Sequence, residues 1–328
     1  MIIGVLRGIA MFVSYNLEDF GNELRKIRRS LGFSQSYVQR TVGVNIDTIR
    51  KIEGGLVVPR YDTLELLSVA YKQDLLELLK NCRSNRFIME YYDELDYIIT
   101  CYDKVAAARL KKKLHQNFSH DIQISMVNPN ELKQFIEFVE AIDAYFSSFT
   151  LDREYSQNNL IKSLRLTIPD FDLKNFKDYN YSYMEFRILL FISLFIALEG
   201  DLIYSNKILY YILKTITNKK YTTKYIDFLI INIHFNIAYN YHKLDKHAQV
   251  IETADDGITY CLEHRTYHAL FSLYYRKGIA QFNLEDENYL DSITTAFYIL
   301  KAIRIPKLLE QYVKITEDKY GILIPLAK

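Results

Sequence analysis

Tryptophan is absent from this sequence, and cysteine, proline and glycine are scarce: three, five and 11 in 328 residues. Cys82, Cys101 and Cys261 stand far apart with no paired spacing. That excludes a disulfide framework and a zinc module, and suits a reducing, cytoplasmic setting. So little proline and glycine leaves long stretches uninterrupted, and with abundant Tyr, Ile, Leu, Asn and Lys and few alternating runs the expectation is helix after helix. The formal net charge is only +1, which excludes a uniformly basic nucleic-acid coat. Long apolar runs are missing too. Phe186 to Leu198 is the most hydrophobic stretch, but Arg187 interrupts it and Glu199 follows it, so a buried core helix is expected rather than a membrane span. Residues 1–13 are apolar, broken by Arg7 and without a small-residue cleavage pattern. They are expected to be a disordered arm, or an artefact if Met11 is the initiator. No glycine-rich phosphate loop or nucleophile elbow is present, and Asp255 and Asp256 beside Gly257 read as helix surface or turn. Neither an enzyme nor a cofactor is therefore expected.

What is present is concentrated between Phe33 and Gly54. Ser34 and Asn45 stand where an N-cap oxygen would accept an orphan backbone N–H, and Gly43 between them supplies a turn that a Cβ would penalise. Two short helices in quick succession make a helix-turn-helix. Val38, Val42, Val44, Ile49 and Ile52, with Leu24, Ile27 and Leu31 upstream, supply one small core. Residues 24–60 hold eight basic side chains against Asp47 and Glu53, an excess of +6 that leaves −5 for the rest. One end of the chain is thus suited to phosphate. Asp62 and Asp74, each three residues before a glutamate, read as caps of two further helices.

Residues 17–80 resemble the DNA-binding domain of Xre/Cro-type phage repressors, through Leu31-Gly32-Phe33, Ser34-Gln35, Gly43-Val44-Asn45, Ile49, Ile52-Glu53-Gly54, Pro59 and Leu64. The resemblance implies that the helix from Ile46 to Glu53 enters the major groove. Ile46, Asp47, Thr48 and Lys51 would lie nearest the base edges, and Gln35, Arg40 and Arg50 nearer the phosphates. Asp47 suits that groove only if it accepts from a cytosine amino group or pairs with Lys51.

Beyond a polar linker near residues 81–85, the remaining sequence repeats a theme. Leu198-Glu199-Gly200-Asp201, Leu244-Asp245-Lys246 and Leu284-Glu285-Asp286 each follow an aromatic-rich apolar segment and precede an amphipathic one. Three helix pairs result: Glu185 to Leu198 with Leu202 to Leu213, Ile226 to Leu244 with Lys246 to Cys261, and Tyr267 to Leu284 with Tyr289 to Ile303. Ala197, Ala238 and Ala280 mark places for close helix approach. Phe87 to Leu114 and Glu131 to Phe149 have the same character, so five or so pairs are expected to stack. The expected fold is all-α, a five-helix domain over 14–83 followed by a right-handed helical-repeat solenoid over 86–328.

These pairs resemble degenerate tetratricopeptide repeats, although the family's tryptophan is missing and the separations, 46 and 40 residues between turn leucines, exceed its usual period. An Xre-type domain joined to such repeats, with Asn236-Ile237-Ala238-Tyr239 and Tyr275 to Phe282, is similar to the peptide-pheromone regulators grouped as Rgg, PlcR and PrgX proteins. The resemblance implies a cytosolic transcription regulator, dimeric through its repeats, that binds a short signalling peptide and a two-fold duplex operator. Asn232, Asn236 and Asn240, at i, i+4 and i+8, form an amide ladder able to clamp a peptide backbone, or one facing solvent or neighbouring repeats. Counting back eight residues from the turn leucines puts Arg276 where Asn236 stands in its own repeat, and a cation there could take a carboxylate. Cys261, His264 and His268 share a possible helical face, but adjacent Arg265 and the lack of a fourth ligand speak for loop histidines, so no metal is expected. The alternative function is a plasmid or phage maintenance repressor, or a DNA-bound scaffold whose repeats hold a protein.

Overall fold

The computed structural model describes residues 15–82, 86–118, 129–147, 153–217 and 224–324. The N-terminal extension, Arg83 to Asn85 of the linker, and Phe149 lie outside them. The described residues are helical apart from their turns and a single bridge at Tyr15, and they divide into two compact units. One runs to Asp93 and includes Phe118 and Pro129; the other comprises Glu94–Asn117 and the residues from Asn130 on.

The first unit contains α1 (Leu17–Ser30), α2 (Gln35–Val42), α3 (Ile46–Glu53), α4 (Tyr61–Tyr71) and α5 (Leu75–Asn81). Its boundaries follow from local chemistry. The Ser34 side chain accepts from the Tyr37 N–H and that of Asn45 from the Asp47 N–H, while Gly43 ends α2 at φ 76°. Asp74 caps α5 by accepting from the N–H groups of Leu76 and Glu77. The expectation for Asp62 fails: α4 begins two residues earlier, at Tyr61, with Arg60 in the cap position and Asp62 inside the first turn. Phe20, Leu24, Val38, Ile49, Ile52, Leu64, Leu67 and Tyr71 fill the core, with Ile27, Phe33 and Val42 at its edge. Gly21 lets α1 meet the end of α3, for a Cβ there would come within 2.6 Å of the Glu53 carbonyl oxygen.

The helix α6 (Arg86–Cys101) is followed by α7 (Lys104–Phe118), α8 (Pro129–Ser147) and α9 (Arg153–Arg165), then a 3-10 turn over Leu173–Asp178. The amphipathic stretch from Phe87 to Leu114 is divided between α6 and α7 at Tyr102, whose φ of 52° no right-handed helix tolerates. Next come α10 (Tyr183–Leu198), α11 (Leu202–Thr217), α12 (Lys224–Lys243), α13 (His247–Glu263), α14 (Leu270–Asn283), α15 (Tyr289–Ala302) and α16 (Pro306–Tyr320). Successive helices from α10 to α16 pack on one another, so the three expected pairs are present and α16, opened by Pro306, extends the stack.

Gly200, Asp245 and Glu285 all take the left-handed conformation, so these three residues, rather than the leucines, are equivalent from turn to turn. In the second unit Ala238 and Ala280 are fully buried together with Val250, whereas Ala197 is only half-buried. Gly278 makes the tightest approach: a Cβ there would stand 2.5 Å from the Ile293 side chain. The apolar run expected to be core is α10, with twelve buried residues among them Glu185 and Arg187. Ser182 and Glu185 close a capping box at its start, and Arg187 meets Asp96 at 2.5 Å beneath the rings of Phe138, Tyr183 and Phe228. Among the described residues no helix is long and apolar enough to cross a membrane.

Candidate DNA-binding face and candidate ligand groove

In the first unit Ile49, Ile52 and Glu53 turn α3 inward. The opposite side presents Asp47, Arg50 and Lys51 exposed and Ile46 and Thr48 half-exposed. Asp47 is paired with Arg50 at 2.8 Å rather than with Lys51, one of the two partners considered for it. Both partners are about two-thirds exposed, so the pair is weak and can open to a charged duplex. Lys51 is left facing outward. Arg40 near the end of α2 is exposed as well, while Gln35 is half-buried and donates from Nε2 to Glu53 at 2.9 Å.

Glu53 is the element that sequence reasoning missed. It is 1% exposed, and its carboxylate accepts two hydrogen bonds from Arg28, at 2.5 and 2.8 Å, one from Gln35 and one from the Tyr71 hydroxyl at 3.2 Å. Arg25 donates to its backbone carbonyl at 2.7 Å. Burial raises its pKa, but the bonds from Arg28, then Gln35, and the Arg28 charge outweigh this and hold the carboxyl below its ordinary value. Three helices, α1, α2 and α4, thereby converge on the last residue of α3. The signal was present in the i, i+3, i+4 run Ile49, Ile52, Glu53, which places a carboxylate on the apolar face.

In the second unit two adjoining cavities share Tyr102 and Phe235. The first is a slot of about 60 Å³ walled by aromatic side chains, Phe138, Tyr145, Phe146, Phe191 and Phe228 among them. Asn232 and Asn236 line it on α12. Each donates from Nδ2 to the carbonyl four residues back, at 2.8 and 2.7 Å, which leaves an acceptor and a second N–H on each amide for a ligand. The structure separates Asn240 from them. It is 1% exposed and spends its Nδ2 on Ser205 and Asn206 of α11, so the third rung of the ladder is a bond between helices.

The second cavity, of about 590 Å³, is lined by Tyr239, Tyr275, Tyr312 and Tyr320 and by Lys243, Arg276 and Lys319. The Arg276 guanidinium lies over the rings of Phe235 and Tyr239, at 5.2 and 4.7 Å, and its buried Nε has no hydrogen-bond partner among the described residues. His242 lines the same space. Burial, then the charges of Arg276, His247, Lys319 and Lys243, depress its pKa to about 4, so it is neutral at pH 7. The sequence had singled out Arg276 alone, since Tyr102 and Lys319 come from elements distant in the chain and no spacing links them. Among the described residues no group of three His, Cys, Asp or Glu could hold a metal. Cys261 is buried, His264 stacks on Tyr260 at 4.0 Å, and His268 meets Phe228 edge-on.

The family described as a helix-turn-helix domain matches residues 19–79. No curated protein matches the chain. Among solved structures, the chain is similar to PlcR of Bacillus thuringiensis in complex with the peptide PapR7 and DNA, at 18% identity and TM-score 0.67, over 90% of this chain and 99% of that one. It is similar also to ComR of S. thermophilus in complex with DNA and its signalling peptide ComS, at 15% identity and TM-score 0.58, over 92% and 100%. The SHP pheromone receptor Rgg2 of Streptococcus dysgalactiae follows at 12% identity and TM-score 0.55, over 92% and 99%. Residues 19–79 are therefore a helix-turn-helix domain, and over about nine-tenths of its length the chain has the fold of these regulators.

Proposed function

We propose that this chain is a DNA-binding transcription regulator whose second unit takes a short signalling peptide and thereby sets operator affinity. The observation that carries the reading is the groove: Asn232 and Asn236 stand side by side on an aromatic slot that adjoins a larger cationic, tyrosine-walled chamber. Paired amides serve a peptide backbone without demanding a side-chain sequence, and the slot and chamber supply the apolar and polar ends that a short peptide presents. In PlcR and ComR the solved complexes hold both peptide and DNA, which supports the same pairing here.

On the DNA side, α3 is the recognition helix in this reading, with Ile46, Thr48 and Lys51 toward the bases and Arg40, Arg50 and Gln35 toward the phosphates. Lys51→Ala is expected to relax sequence preference, while Arg50→Ala weakens every duplex alike and lowers the salt slope by about one. Affinities across several duplexes and salt concentrations read both. If the two substitutions altered specificity alone, the assignment of the helix would be wrong.

A two-fold operator calls for a two-fold protein. The full chain is expected to be a homodimer at micromolar concentration, joined through its second unit, with mass in solution as the check. A monomer at that concentration would contradict it.

A further inference from the structure

The chamber beside Arg276 carries an imbalance of charge. Lys243 on α12, Arg276 on α14 and Lys319 on α16 line it, and Asp245 is the one carboxylate among its described lining residues. Arg276 is held by ring stacking rather than by an acid. The buried Nδ1 atoms of His242 and of His247, whose rings lie 5.6 Å apart, also find no hydrogen-bond partner among the described residues. The remaining polar wall is hydroxyl and amide: Tyr102 from the turn between α6 and α7, Tyr239, Tyr275, and Gln311, Tyr312 and Tyr320 from α16. Three cations against one carboxylate, around a space of about 590 Å³, suit an anionic group.

We infer that this chamber is an anion subsite for a free carboxylate on the ligand, held by Arg276 with Lys319 and Lys243, and that His242 takes up a proton from solvent as the carboxylate enters. The inference rests on the peptide reading of the groove. Its physical basis is mutual. His242 is kept neutral by burial and by the cations around it, and a negative charge placed among them offsets that repulsion and favours the imidazolium. The bound carboxylate then gains a fourth cation. Because the proton is bound more tightly in the complex than in the free protein, ligand affinity rises as pH falls.

The test uses the full chain and two pools of N-acetylated random heptapeptides without ionisable side chains, one ending in a free carboxylate and one amidated. Capture is followed by mass spectrometry and affinities are measured at several pH values. The acid pool should be captured at least about tenfold more strongly, and its best members should tighten about tenfold between pH 7.5 and 5.5 as His242 returns toward its ordinary value. Arg276→Gln should erase the preference for the acid, and Arg276→Lys should retain part of it. His242→Asn should keep the preference and lose the pH dependence, with thermal melts confirming that each variant is folded. Equal capture of both pools overturns the anion subsite and leaves the peptide reading standing, whereas capture of neither removes the peptide reading itself. A preference for the acid without pH dependence overturns the role of His242.

Discussion

Glu53→Ala is expected to unfold the helix-turn-helix unit at physiological temperature and to abolish duplex binding without touching a residue on the outer face of α3. Removing the carboxylate strands the Arg28 guanidinium, 9% exposed, in the core, and breaking a buried pair in this way costs about 3–5 kcal/mol. A unit of this size has only about 5–15 kcal/mol in total, toward the lower end. The hydroxyl of Tyr71 and the amide of Gln35 lose their acceptor at the same time. Glu53→Gln keeps the shape and one acceptor, and should cost less. Hydrogen exchange resolved to residues 17–81 of the full chain reads the effect, with protection falling throughout α1 to α5. Wild-type protection in Glu53→Ala would mean that the network does not hold α3 in place.

The same carboxylate sets an acid limit. Its folded pKa lies below the ordinary 4.5, so the stability it contributes is complete above the unfolded value. That stability is lost as pH falls through the folded one. Glu53→Gln should flatten this part of the acid unfolding curve.

Asn236→Ala is expected to leave the chain folded and operator-competent but blind to its peptide. The amide is half-buried and its one internal bond is to a carbonyl already within α12, so the fold loses little. A peptide N–H or carbonyl that relied on it would be left unsatisfied at about 1–3 kcal/mol, which is roughly ten- to hundredfold in affinity. Asn240→Ala should behave differently. It removes a bond between α11 and α12 and leaves Ser205 and Asn206 unsatisfied in the interior, so it should lower the melting temperature. Isothermal titration with a captured peptide, beside a thermal melt, separates the two. Equal peptide affinity in wild type and Asn236→Ala would remove the clamp.

The contrast between these two asparagines shows where the sequence was legible. Spacing of i, i+4 and i+8 places three amides on one stripe of a helix, but a stripe is wide, and neighbours on either side decide which of its members face a groove. Asn240 bonds to α11 while Asn232 and Asn236 bond within α12, which depends on packing that no single helix encodes. Caps and turn residues were readable because their chemistry is local: Ser34, Gly43, Asn45 and Asp74 act on backbone groups within four residues. Asp62 failed for the same reason in reverse, since the register of α4 is set by burial of Leu64 and Leu67 and moves its start to Tyr61. The helix pairs were readable from their period and their turns. The Glu53 network and the Arg276 chamber were not, because each assembles residues from elements that the chain brings together only on folding.

In the proposed regulator, peptide in the groove alters the grip of the recognition helices on their operator. Coupling of this kind requires that the ligand favour one arrangement of the protein over another. The direct measurement is operator affinity of the full chain, on a duplex selected by the chain from a random library, at zero and saturating concentrations of a captured peptide. A change of about five- to 150-fold is expected in wild type and none in Asn236→Ala. An operator affinity and transcriptional output unmoved by saturating peptide would contradict it and favour a repressor whose repeats hold a protein partner instead.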